Sequence, residues 1–161
     1  SLDANLAAWG NTGVPDLITV RRNGANLVVE RTGSAAVPDN DDVGVIFQGA
    51  SAQIQSFTYL GSSDDDTLTV SDVGGLPTFA GSAPSIPDNL NLAGVGSVLL
   101  DGNGGADKLL FNLTGANAAL SYAIGNGTGA AGNEGEVLVA SGAASLQAYF
   151  VRTESAERTG T

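Results

Sequence analysis

The sequence predicts an all-β protein, an irregular parallel β-solenoid of the β-helix or β-roll kind, on three observations. Two stretches whose aspartates stand forty-one residues apart share one glycine–aspartate–leucine spacing. Short apolar runs alternate with polar residues between turn formers, and long segments rich in Glu, Lys, Gln and Arg are missing. An antiparallel β-sandwich is the alternative, because the same alternation between frequent turns fits two packed antiparallel sheets.

Residues 1–16 hold Trp9 and the breakers Gly10, Gly13 and Pro15, and Leu2, Leu6 and Trp9 are spaced as one apolar edge of a short helix. This segment reads as a cap or linker. The solenoid domain spans 17–153. Leu17 to Arg22 and Leu27 to Arg31 are β-rich runs flanking Asn23-Gly24, the signature of a hairpin or a first corner. Pro38 and the acidic run Asp39-Asn40-Asp41-Asp42 form a surface loop. Strands follow at Val43 to Gln48 and Ile54 to Leu60, and Leu68 and Val70 share a face of the next. Pro77, Pro84 and Pro87 break the segment before Leu90 to Leu92. Val98 to Leu100 is a strand, and Leu109, Phe111 and Leu113 alternate with more polar neighbours, the period of a half-buried strand. Leu120, Tyr122 and Ile124 alternate again. A glycine loop from Gly125 to Asn133 precedes Val137 to Val139, and Leu146 to Arg152 is the last strand expected. Residues 154–161 read as a polar tail.

The two related stretches are Gly61-Ser62-Ser63-Asp64-Asp65-Asp66-Thr67-Leu68-Thr69 and Gly102-Asn103-Gly104-Gly105-Ala106-Asp107-Lys108-Leu109-Leu110. Both fit the nonapeptide pattern G-G-x-G-x-D-x-U-x, with U a large apolar residue, at its first, sixth and eighth positions. Glycine lets the chain turn tightly with carbonyls toward a cation, aspartate supplies a hard oxygen, and the apolar residue opens a strand into the core. Cys, Met and His are absent, so a metal site here uses oxygen alone and suits calcium or magnesium. The metal candidates are Asp64, Asp66, Asn103 and Asp107, then Asp65 and Asp101. Such ligands converge if the two turns stack. The alternative is that glycine and aspartate serve turn geometry and solubility.

The succession Leu17-Ile18-Thr19-Val20-Arg21-Arg22-Asn23-Gly24-Ala25-Asn26-Leu27-Val28-Val29, then Phe57-Thr58-Tyr59-Leu60-Gly61 with Asp64 to Val70, then Leu100 to Leu109, resembles the repeat modules of very large bacterial surface proteins of the planctomycete type. The repeat is also similar to the calcium-binding repeats of RTX exoproteins. The resemblance covers about 17–153, its specific part being the two turns, and implies an extracellular, structural or adhesive β-solenoid. The chain departs from RTX rolls in lacking tandem copies and in placing Asp64 at the fourth position of the first copy, where the pattern has glycine.

Seventeen acidic against 6 basic residues give a net charge of −11 at pH 7, which disfavours nucleic acid, since phosphate binding needs a basic face. No signal peptide or membrane-length apolar run is present, as expected of a mature form or an excised piece, and no membrane insertion is expected. Parallel β-helices do carry sugar chemistry, and Asp64-Asp65-Asp66 or Asp39, Asp41 and Asp42 supply carboxylates, with Arg21, Arg22, Lys108 and Arg152 as basic partners. Adjacent strand residues point to opposite faces, however, and no aromatic-lined groove is evident. Serine chemistry lacks a histidine base. Asn112-Leu113-Thr114 and Asn126-Gly127-Thr128 match a glycosylation pattern that is common by chance.

The expected function is that of a non-enzymatic extracellular module or subunit of a bacterial surface assembly, an adhesin stalk or a self-assembling filament, sheath or surface layer. Its partners are further copies or neighbouring repeat modules, because uncapped sheet edges template the next unit. A polysaccharide-binding or polysaccharide-degrading β-helix is the alternative.

Overall fold

The computed structural model describes residues 2–5, 16–31, 44–80, 97–114, 119–125, 133–141 and 144–160, with the backbone alone for 2–5, 97, 119–125 and 133. Expected features at 6–15, 32–43, 81–96 and 126–132 lie outside these residues. The described strands are β1 (Leu2–Asn5), β2 (Leu17–Asn23), β3 (Asn26–Arg31), β4 (Gly44–Ala50), β5 (Ser56–Leu60) and β6 (Thr67–Ser71). They continue with β7 (Ser97–Asp101), β8 (Lys108–Asn112), β9 (Ala119–Gly125), β10 (Asn133–Ser141), β11 (Ala144–Thr153) and β12 (Ser155–Thr159). One 3-10 turn, Ser51–Gln53, precedes β5, and no α-helix occurs among the described residues.

The strands form two six-stranded sheets, β1-β5-β7-β11-β10-β9 and β12-β8-β6-β2-β3-β4. Both are mixed. In the first sheet β1, β5, β7 and β11 are parallel neighbours, with Leu2 beside Phe57, Phe57 beside Val98 and Val98 beside Ala148. In the second, β2, β6, β8 and β12 are parallel neighbours, with Ile18, Leu68, Leu109 and Ala156 in one row. The chain therefore crosses from first to second sheet four times in the same sense: β1 to β2, β5 to β6, β7 to β8 and β11 to β12.

Alternation decides which side chains meet between the sheets. In β8, Leu109 and Phe111 are buried while Lys108, Leu110 and Asn112 are only half covered, and Leu68 and Val70 of β6 repeat the pattern. Phe57, Tyr59, Val98, Leu100, Leu146, Ala148 and Phe150 enter the same core from the first sheet. Each fully buried Leu or Phe contributes roughly 1.5–3 kcal/mol of transfer free energy.

Antiparallel strands extend one end of each sheet. At one end β2 turns into β3 through Gly24-Ala25, with Asn23 facing Asn26 and Gly24 at φ +60°, the positive angle that a two-residue hairpin needs at this position. β4 follows β3 with a register shift between Val29 and Glu30. At the opposite end β10 and β9 follow β11. Ile54, Leu76 and Phe79 pack against the core beside this framework, and Ala80 N donates to Ile54 O at 2.8 Å.

Four sequence expectations change. Asn23-Gly24 makes a hairpin and not a corner, because its two-residue turn returns the chain alongside itself. Leu2–Asn5 is extended and pairs with β5, so the helical spacing of Leu2, Leu6 and Trp9 does not govern its first residues. The polar tail contains a strand: β12 finds in β8 a full ladder of backbone partners, which its polar side chains do not oppose. The antiparallel sandwich fails at the centre of both sheets, where the ladders are parallel.

Candidate functional site: the stacked aspartate turns

The two glycine–aspartate turns lie on top of one another. Leu60 is beside Asp101 in the first sheet and Thr67 is beside Lys108 in the second, so the two six-residue connections, Gly61 to Asp66 and Gly102 to Asp107, run side by side between neighbouring strands. The β11–β12 crossing is compressed to Glu154 alone. Leu17, Thr67, Lys108 and Ser155 form one row across the second sheet. The residues before them are Asp16, Asp66, Asp107 and Glu154, an acid at every crossing.

These acids are linked by a repeated hydrogen bond. Asp16 N donates to Asp66 Oδ1 at 2.9 Å, Asp66 N to Asp107 Oδ1 at 2.9 Å, and Asp107 N to Glu154 Oε2 at 2.6 Å. Their carbonyls run in parallel: Asp16 O accepts from Thr67 N at 2.8 Å, Asp66 O from Lys108 N at 2.9 Å, and Asp107 O from Ser155 N at 3.3 Å. A backbone that turns a corner aims its N–H away from the ordinary ladder, and a buried N–H without an acceptor is costly. A carboxylate from the next level supplies the acceptor, and the bond is charge-assisted.

The second oxygens differ between levels. Asp66 Oδ2 accepts from Ser62 N at 2.6 Å and Ser62 Oγ at 3.1 Å. In the second turn Asn103 occupies the place of Ser62, stands at φ +67°, and turns its side-chain Nδ2 to Ser62 O at 3.3 Å. Asp107 Oδ2 is left buried without a hydrogen-bond partner. Asp16, at the far end, forms an ion pair with Arg31 at 2.7 Å.

Electrostatics follow from this geometry. Burial pushes the Asp66 carboxyl above its ordinary range against the bonds from Ser62 and Asp16. Asp107 is pushed up to about 7, first by burial and then by the charges of Asp66, Glu154 and Asp65, with the bond from Asp66 N opposing. Tyr59, whose buried hydroxyl has no partner, is held strongly in its neutral form by burial and then by Asp66, Asp16 and Asp107.

The leading glycines are required by close approach. Gly61 and Gly102 lack the positive φ expected of them, but a Cβ on Gly61 would stand 2.6 Å from Gly102 O. One on Gly102 would strike Arg152 O and Asp107 Oδ2. Gly105 is different: it has φ +111°, and its Cβ would collide with Asp64 O.

Of the six metal candidates, the structure brings Asp66 and Asp107 together in the row of acids. Asp65 Oδ1 accepts from Ala106 N at 2.7 Å, and Asp64 Oδ2 accepts from Ser62 Oγ at 3.4 Å. Asn103 acts as a donor toward Ser62 O. Asp101 sits on β7 and takes the Arg152 guanidinium at 2.7 and 2.6 Å. Among the described residues no group of three or more acidic side chains is disposed to hold a metal. Asp16 and Glu154, absent from the candidates, complete the row; Asp16 shows in the sequence as an acid immediately before the β-rich run from Leu17, whereas Glu154 opens the polar tail and carries no such signal. No known protein family, curated protein or solved structure matches this chain.

Proposed function

We propose that the chain is a non-enzymatic structural module of an extracellular bacterial surface assembly, an irregular β-solenoid of four levels whose acids hold the levels in register. The observation that carries this reading is the repeated bond from each corner N–H to the carboxylate of the next level. Asp16, Asp66 and Asp107 are buried, Glu154 is exposed, and the carboxylates of Asp66, Asp107 and Glu154 are engaged by backbone N–H groups, the use expected of a structural part. Sheet edges at both ends suit continuation by further copies or neighbouring modules.

A calcium-stabilised form of the same module is the second reading, favoured by one observation: Asp107 Oδ2 is buried and unpartnered. Light scattering on the eluting protein, with thermal melts in millimolar calcium and in excess chelator, separates them. The first reading predicts species larger than the 16.0 kDa monomer and one melting temperature in both buffers. A melting temperature that drops in chelator supports calcium. A monomer at every concentration contradicts assembly.

A further inference from the structure

The four terminal strands of the two sheets are not equivalent. β12 carries Glu157 and Arg158, with Glu157 held by Lys108 at 3.5 Å, and β1 carries Asp3. Charges of this kind protect an open edge against pairing with another chain. β4, reading GVIFQGA, carries none, and its Val45 is 54% exposed. β9 is also uncharged in sequence, and its side chains lie outside those described.

The backbone of β4 offers partners as well. The closing pair of the β2–β3 hairpin is Asn23 and Asn26, so Leu27 and Val29 turn their N–H and C=O groups to β4, opposite Gly49 and Phe47. Ser51 N donating to Ala25 O at 3.0 Å keeps the same phase. Gln48 and Ala50 consequently direct their N–H and C=O away from β3, along the free edge. Charge then selects the direction of pairing. Asp39, Asp41 and Asp42 directly precede β4 in the sequence, so parallel in-register pairing would set two acidic runs side by side. Antiparallel pairing separates them by the length of the strand, which matters in a chain of net charge −11.

We propose that β4 is the edge through which a second copy of this chain binds, β4 to β4 and antiparallel about a two-fold axis, joining two second sheets into one. A two-fold contact needs no complementary surface elsewhere and closes on itself. The inference rests on the structural-module reading and names its first partner.

Light scattering on the full chain, with circular dichroism to confirm folding, tests it. Gln48→Pro removes an outward N–H and leaves the β3 ladder intact, Val45→Lys places a charge on the edge, and Arg158→Pro blocks the β12 edge as a control. The expected result is twice the 16.0 kDa monomer mass for wild type and Arg158→Pro, and monomers for folded Gln48→Pro and Val45→Lys. If Gln48→Pro does not fold, Val45→Lys decides. Assemblies that survive both β4 variants overturn the β4 edge and leave the structural reading standing; a wild type that stays monomeric overturns both.

Discussion

At the scale of single residues, Asp66 and Asp107 have one role, and the environment of their second oxygens separates them. Ser62 satisfies Asp66, whereas Asn103, at φ +67°, leaves Asp107 Oδ2 bare. An acid raised to about 7 when folded, against about 3.9 unfolded, binds more protons in the native state across that window. Its contribution is therefore fully present below about pH 4 and is lost as pH rises through about 7. We predict that stability to urea falls from pH 5 to pH 8, and that Asp107→Asn, which keeps an acceptor for Asp66 N, flattens the dependence. An unchanged slope in the variant would remove Asp107 as its source. Glu30, held below its ordinary range by its hydrogen bond with Arg21, titrates under this window and does not mask the effect. The equivalence of Asp66 and Asp107 is legible in the motif spacing alone. That spacing conceals Asp16 and Glu154, because neither has the glycine framing that marks a turn, and it assigns Gly61 and Gly102 to turn conformation when their cause is the closeness of the next level.

At the scale of elements, periodicity locates most strands: Leu109 and Phe111, Leu68 and Val70, and Leu146 to Phe150 alternate as a sheet facing a core requires. β12 escapes because Ser155–Thr159 has little apolar alternation; backbone pairing to β8 and the bond from Asp107 N to Glu154 hold it. Parallel against antiparallel pairing is equally hidden, since a period of two is common to both. The strand changes what truncation should do. Removing 154–161 deletes the acceptor for Asp107 N and bares β8, whose residues KLLFN include only one charge. We expect the truncated chain to melt at a lower temperature and to aggregate through the exposed strand. A truncated chain as stable and as soluble as the parent would show that β12 is dispensable.

At the scale of the whole molecule, four crossings from the first sheet to the second each set an acid just before the strand they enter, so local turn chemistry becomes a line running across the second sheet. With no cysteine in the chain, the parallel backbone ladders, this line and the apolar core fix each pair of strands over the next. The clustering of acids costs solvation, which shows in the raised pKa of Asp66 and of Asp107, and hydrogen bonds from the corner amides offset it. The antiparallel extensions at opposite ends distinguish this molecule from a uniform parallel stack. The most direct test is amide hydrogen exchange resolved by residue. If the carboxylates hold the levels together, the amides of Asp16, Asp66 and Asp107 exchange as slowly as those of Leu68 and Leu109 in the core strands, although they lie in connections. Exchange of these three at the rate of exposed turn amides would contradict the account.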